Sequence, residues 1–293
     1  MSDSRPDDTA SHLYPPVDTG CQTEDQPAVA SMRLAFQVAY IGTDFYGSQK
    51  QTGLRTVEDT FITACQVLHL FDDPHAVGFA SAGRTDRGVH ARRQVFAFST
   101  DFPDRACERL NHILPGDCWC SGWAETPDDF HPRFDVASRT YRYYIYNDGS
   151  TDLSLMQEAA TLFTGTHNFT HFSRLEGKNP EKIIFSSEIR SEDGFYVYEI
   201  TAQGFLWNMV RCIVTSLIEV GRNELGTDDI SALLTGTPGM RHPPPAPPEG
   251  LILWDIDCGI AFAPIEKSER MIRAFRERSQ LFQAMKKVNV LLD

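Results

Sequence analysis

No stretch of this 293-residue chain is apolar for long enough to cross a bilayer as a helix, which speaks against a membrane-spanning class. The N-terminus also lacks the basic segment and hydrophobic run of a secretory leader, so a cytoplasmic location with no membrane partner is expected. Cysteine is sparse and odd in number. The seven thiols (Cys21, Cys65, Cys107, Cys118, Cys120, Cys212 and Cys258) sit mostly in apolar segments, a pattern of reduced core residues and not of a disulfide framework. Cys118 and Cys120 form the one close pair, and no second Cys or His pair is spaced to complete a zinc site, so they read as core residues and not as ligands. Cations are also in deficit. With 27 Lys and Arg against 40 Asp and Glu, the net charge is -13, which runs against a simple nucleic-acid binder. The sum hides an uneven distribution: residues 1–31 hold six acids against Arg5 alone, and the tail from Glu266 carries seven cations against four acids. Local fields matter more to a polyanion than the total.

What is present reads as an ordinary globular composition, 41% hydrophobic and 11% aromatic, long enough for two units with cores. Residues 1–31 mix Pro, Asp, Ser and Thr without periodicity and are expected to form a disordered extension, with Met32 a second candidate start. From Arg33 the apolar alternation predicts a strand, followed by a Gly-punctuated loop over 41–51. Thr56 then opens a helix as N-cap, with an apolar face through Val57, Phe61, Ala64, Cys65 and Leu68. Strands at about 76–82 and 94–100, a helix at about 104–114 and a strand around Trp119–Trp123 complete the order βαββαβ over 32–136. Residues 137–258 repeat it: a strand over 137–147, a helix over 153–163, and strands at about 182–190 and 195–203 joined through Asp193-Gly194. Helices over 206–220 and 228–234 and a strand over 251–257 follow. The predicted class is α+β, two tandem ferredoxin-like (RRM-like) units whose strands join into one continuous, mainly antiparallel sheet with a central active-site cleft. Residues 259–293 form a basic helical tail with an apolar stripe, expected to pack on the molecule or on a partner subunit.

One stretch concentrates chemistry, Gly83-Arg84-Thr85-Asp86-Arg87-Gly88-Val89-His90-Ala91-Arg92. A single carboxylate stands among arginines in a loop punctuated by glycine. The charge pattern alone fits either a surface ion-pair cluster on a hairpin or a carboxylate poised for acid–base or nucleophilic work on a polyanion. A second feature is Arg211, in a helix that Val210, Ile213, Val214 and Leu217 make apolar on much of its circumference. A charge in that setting needs a partner. A third is the run Arg139-Thr140-Tyr141-Arg142-Tyr143, in which alternation puts Arg139, Tyr141 and Tyr143 on one face.

The 83–91 string resembles the signature loop of the TruA-type tRNA pseudouridine synthases, Gly-Arg-Thr-Asp-x-Gly-Val-His-Ala, at every fixed position. The resemblance extends to Met209-Val210-Arg211, to Arg139-x-Tyr141-x-Tyr143 and to Pro247-Pro248-Glu249-Gly250-Leu251, and it covers about Met32 to Cys258. It implies an isomerase that converts uridine to pseudouridine in the tRNA anticodon stem-loop, at positions 38 to 40, without metal or redox cofactor, working as a homodimer. It assigns Asp86 as the catalytic carboxylate, Arg211 as its ionic partner and Tyr141 as a base platform and aid in removing the C5 proton. Arg84 would fill the space of the flipped nucleotide, with Arg87, His90, Arg92 and Arg139 as further substrate contacts and Leu251 lining the base pocket. Two positions depart from bacterial members: Ser48 replaces the usual Trp and Arg87 the usual Ala, which makes the chain closer to an archaeal form and puts substrate range, more than chemistry, in question. A non-catalytic RNA-binding protein built from two RRM-like halves is the alternative from another class. The aromatic RNP strand motif usual in such binders is missing.

Overall fold

A computed structural model describes residues 31–292; the expected disordered extension lies, Ser31 apart, outside them. The first unit runs β1 (Met32–Tyr40), α1 (Val57–Val67), β2 (Ala80–Ser81), β3 (His90–Thr100), α2 (Pro103–Ile113) and β4 (Cys118–Glu125). Thr56 caps α1 by accepting the Asp59 amide proton, 3.3 Å away. Phe36, Phe61, Phe96 and Phe98 meet between α1 and the sheet at centroid separations of 5.0–6.2 Å. Each buried ring contributes about 1.5–3 kcal/mol of hydrophobic stabilisation.

The second unit runs β5 (Ser138–Tyr146), α3 (Leu153–Thr161), β6 (Gly165–Asn168), β7 (Glu181–Glu192), β8 (Phe195–Ala202), α4 (Met209–Gly221), α5 (Thr227–Leu234) and β9 (Leu251–Asp257). The Asp193-Gly194 turn has φ of 50° and 82°, the doubly left-handed turn that a twisted hairpin needs. Beyond it come β10 (Ala263–Pro264) and α6 (Glu269–Leu292). All strands belong to one sheet, in the order β10-β4-β1-β3-β9-β5-β8-β7-β6, with β2 beside β3.

The structure corrects the sequence reading at several elements. The strand expected over 76–82 shrinks to two residues because Pro74–Phe79 coil into tight turns, and the Arg33 guanidinium binds the Gly78 carbonyl at 3.2 Å. A polar strand, β6, pairs with β7 where none is expected. The fourth helix starts at Met209, not Leu206, because Asn208 takes a left-handed conformation, φ 62°.

The two units meet along one edge of β3. There β9 runs parallel over His90–Ile252 and Ala91–Leu253, while β2 occupies the same edge further along, at Phe96 and Ala97. β3 and β9 therefore diverge past Ala91, and Arg139 lies across the gap with its guanidinium on the Ala82, Arg133 and Gln203 carbonyls. The chain then returns to where it began. β10 pairs with β4, and on the face of β4 away from Cys120, which looks toward α1 and α2, Trp119 packs edge-on against Phe275 of α6 at 4.7 Å.

Candidate active site

The Asp86 loop is built on glycines and on β1. Gly42 lies so close beneath it that a Cβ would stand 2.0 Å from the Val89 carbonyl oxygen. Gly47, with φ 95°, brings its backbone against the Thr85 carbonyl. The Thr85 amide donates to Ser48 Oγ at 2.8 Å, the Ser48 amide donates back to the Thr85 carbonyl at 3.0 Å, and the Tyr40 and Thr85 hydroxyls share a 2.8 Å hydrogen bond. Gly83 is held by the Gln94 side-chain amide at 2.8 Å. Asp86 turns outward from this base, its carbonyl accepting the Val89 amide at 3.1 Å as Gly88 completes the turn at φ 83°.

Across the seam, Arg211 Nη1 stands 3.5 Å from Asp86 Oδ2. Its helix is apolar, with Met209, Val210, Cys212, Ile213 and Val214 all buried, so the guanidinium can emerge only at the first turn. There it is fixed three ways: Nε donates to the Ala246 carbonyl at 2.5 Å, and Nη1 is shared between Asp86 and Asn208 Oδ1 at 3.3 Å. The Pro-rich segment before β9 thus serves as the rail that aligns Arg211. Burial raises the Asp86 carboxyl above the ordinary range for Asp, and the Arg211 charge and hydrogen bond, with the Trp207 side chain, pull it partway back. A third of the Asp86 side chain stays open to solvent.

Tyr141 is buried on the same side of the sheet, its ring edge-on to Phe205 at 5.1 Å. Burial pushes its phenol up, against the pull of the Arg139 charge and with a smaller push from the nearby Asp86 charge. Tyr143 donates to the Pro247 carbonyl at 2.9 Å, and burial pushes its phenol up to about 12. Gly250 crosses the Tyr143 ring where a Cβ would come within 2.6 Å, delivering Leu251, buried, into β9.

Residues 159–257 match the family model described as tRNA pseudouridine synthase. A protein of Methanoculleus marisnigri named tRNA pseudouridine synthase A is 51% identical over 261 residues, covering 89% of this chain and 96% of its own. Another of that name, from Methanosphaerula palustris, is 51% identical over 82% of this chain and 85% of its own. A third, from Thermococcus kodakarensis, is 45% identical over 83% and 91%. This chain belongs to the tRNA pseudouridine synthase A family. A solved Cbf5-Nop10-Gar1 complex aligns at a TM-score of 0.35 and 10% identity over 64% of this chain and 45% of its own, too loose a likeness to carry an argument.

Within the family frame, the structure distributes the remaining sequence candidates unevenly. Arg84 and Arg87 are exposed on the Asp86 loop, Arg87 stacked over Tyr46 at 4.2 Å. Three others stand in internal contacts. His90 was expected to touch substrate, but both ring nitrogens are occupied: Nδ1 accepts the Gly42 amide at 2.9 Å, so Nε2 carries the proton and faces the Glu249 carbonyl at 3.1 Å. Arg139 has its guanidinium taken up by the three carbonyls of the gap. Arg92 lies over Trp254 at 4.4 Å, with Arg142 on the same ring at 3.6 Å. Since Arg142 alternates with Tyr141 on β5, Arg92 belongs to the opposite face of the sheet. Ser48, expected on an RNA-facing loop, is fully buried behind Thr85. Sequence reasoning missed Trp207 and Asn208 as neighbours of the Asp86–Arg211 pair, although both stand directly before Met209-Val210-Arg211.

Proposed function

We propose that the protein isomerises uridine to pseudouridine in tRNA, in the anticodon stem-loop at positions 38 to 40, with Asp86 as the catalytic carboxylate. The reaction breaks the N1–C1′ bond, turns the base and joins C1′ to C5; the C5 proton is lost and N1 gains one. A carboxylate assists by attacking as a nucleophile or by taking a sugar proton, and either role requires it ionised. The observation that carries the reading is the pairing of Asp86 with Arg211 across the seam of the two units, which favours the ionised form against the cost of burial. Tyr141 supplies an aromatic surface beside the carboxylate, and stacking of an extruded base is worth about 1–3 kcal/mol. It serves as the platform for the base and aids in removing the C5 proton. Leu251 contributes an apolar wall. Arg84 and Arg87, exposed at the rim, meet RNA phosphates or the vacated stack. The working unit is a cytoplasmic homodimer.

Pseudouridine formation on unmodified tRNA, mapped by chemical adduct and primer extension, tests this directly. Wild type should modify positions 38 to 40, and Asp86→Asn should lose at least about 10²-fold in rate, the low end for a positioned catalytic group. A protein that binds tRNA without forming product would instead be a non-catalytic RNA-binding module.

A further inference from the structure

We infer that Ser48 and Tyr40 are positioning residues for the reaction, acting on Asp86 through Thr85. Every polar atom of Thr85 is engaged, and every partner comes from β1 or the loop that follows it. The amide goes to Ser48 Oγ, the carbonyl to the Ser48 amide, and the hydroxyl to the Tyr40 hydroxyl, at 2.8, 3.0 and 2.8 Å. Ser48 and Tyr40 are shut off from solvent and Thr85 nearly so. Gly47 closes the arrangement from below, its missing Cβ leaving room for the Thr85 carbonyl at 3.0 Å from where that atom would stand. The residue immediately before Asp86 is thus pinned at one atom to β1 and at two to the loop that follows it, while Asp86 has its charged partner in the second unit.

Two separately held groups therefore define one contact. Arg211 is fixed by Ala246 and Asn208, and Asp86 by Ser48 and Tyr40. In this chain the Ser48 hydroxyl fills a closed space and accepts the Thr85 amide. A hydrocarbon there would leave that amide unpaired and let the loop turn. Misplacement of a reacting group by about 1 Å costs on the order of 10²-fold in rate, far more than it changes the binding of a large RNA held by many other contacts.

This inference rests on Asp86 being the catalytic carboxylate, so Asp86→Asn runs alongside as the control for that reading. The full-length chain carrying Ser48→Ala, Tyr40→Phe or both is assayed by steady-state pseudouridine formation on tRNA, with thermal melting to fix the folded fraction. The expected result is a fall in kcat of about 10- to 100-fold per folded enzyme for Ser48→Ala, with KM within about twofold of wild type. Tyr40→Phe should fall less, and the double variant should lose less than the product of the two, since both act on Thr85. The acid limb of the pH–rate profile should also move upward, because a loosened loop weakens the hold of Arg211 on the carboxylate. Loss of activity in Asp86→Asn together with wild-type kcat in both single variants would overturn the inference and leave the catalytic reading intact. So would a kcat that falls only with the folded fraction, or an effect confined to KM. Full activity in Asp86→Asn would remove the reading on which the inference stands.

Discussion

Replacing Arg211 by methionine removes a charge while keeping much of the side chain's length, and the structure sets the size of the effect. Two unit charges 3.5 Å apart interact by about 5 kcal/mol at an effective dielectric of about 20. A third of the Asp86 side chain is open to water, and screening by solvent and salt reduces that to about 1–3 kcal/mol. The ionised carboxylate loses this stabilisation while burial continues to oppose it, so the acid limb of the pH–rate profile moves upward. On that limb the rate falls by about ten- to a hundredfold. Arg211→Lys should fall between, since an ammonium can meet Asp86 or the Ala246 carbonyl but lacks the fork that reaches both and Asn208 together. Single-turnover pseudouridine formation from pH 5 to 9, with enzyme in excess over tRNA, isolates the chemical step from RNA release. If the limb of Arg211→Met overlays that of wild type while the overall rate is lower, Arg211 acts by some means other than holding Asp86 ionised, and the electrostatic account is wrong.

Other perturbations have equally definite outcomes. Burial lowers the pKa of His90, so the neutral ring stabilises the fold fully above the ordinary His range, and that contribution is lost as pH falls through the lowered value. Protonation of Nδ1 removes the acceptor of the Gly42 amide, worth about 1 kcal/mol, so the acid-side drop of about 2–4 °C in Tm should vanish in His90→Asn. Gly88→Ala puts a Cβ 2.9 Å from Pro248 at a φ of 83°, a left-handed strain of about 1–2 kcal/mol; a melting point equal to wild type would contradict the packing described. Arg87→Ala removes the cation stacked on Tyr46 and should redistribute product among target uridines with little change in rate at the favoured one; an unaltered site distribution would show that Arg87 does not govern choice.

The fold was legible where local chemistry and tertiary need agree. Thr56 opens α1 and Asp193-Gly194 closes its hairpin because a cap and a left-handed turn are local requirements with few residue solutions. β6, Gly-Thr-His-Asn, carries no apolar alternation and exists because β7 offers an edge, which no local pattern announces. The same division runs through the site. Arg211 stood out because a charge in an apolar helix needs a partner. The internal partners of His90 and Arg139 were not legible, because their residue types fit RNA contact as well as they fit internal carbonyls and amides, and those partners arrive only with the approach of β9 to β3. Ser48 was invisible as a support, since its partner lies 37 positions away.

The return of the chain to its first unit gives the seam a property beyond its hydrogen bonds. The second unit is a guest spliced into the first, leaving after β4 and rejoining at β10, so it is tethered at both ends. A double tether holds two surfaces at high effective concentration even where, among the described residues, their strands pair only at His90–Ile252 and Ala91–Leu253. The carboxylate and the guanidinium come from opposite sides of that contact, so connectivity itself keeps them in register. A nick between β9 and β10 would leave every residue of the pair in place and still dilute one against the other, turning catalytic output into a gauge of how firmly the guest is seated.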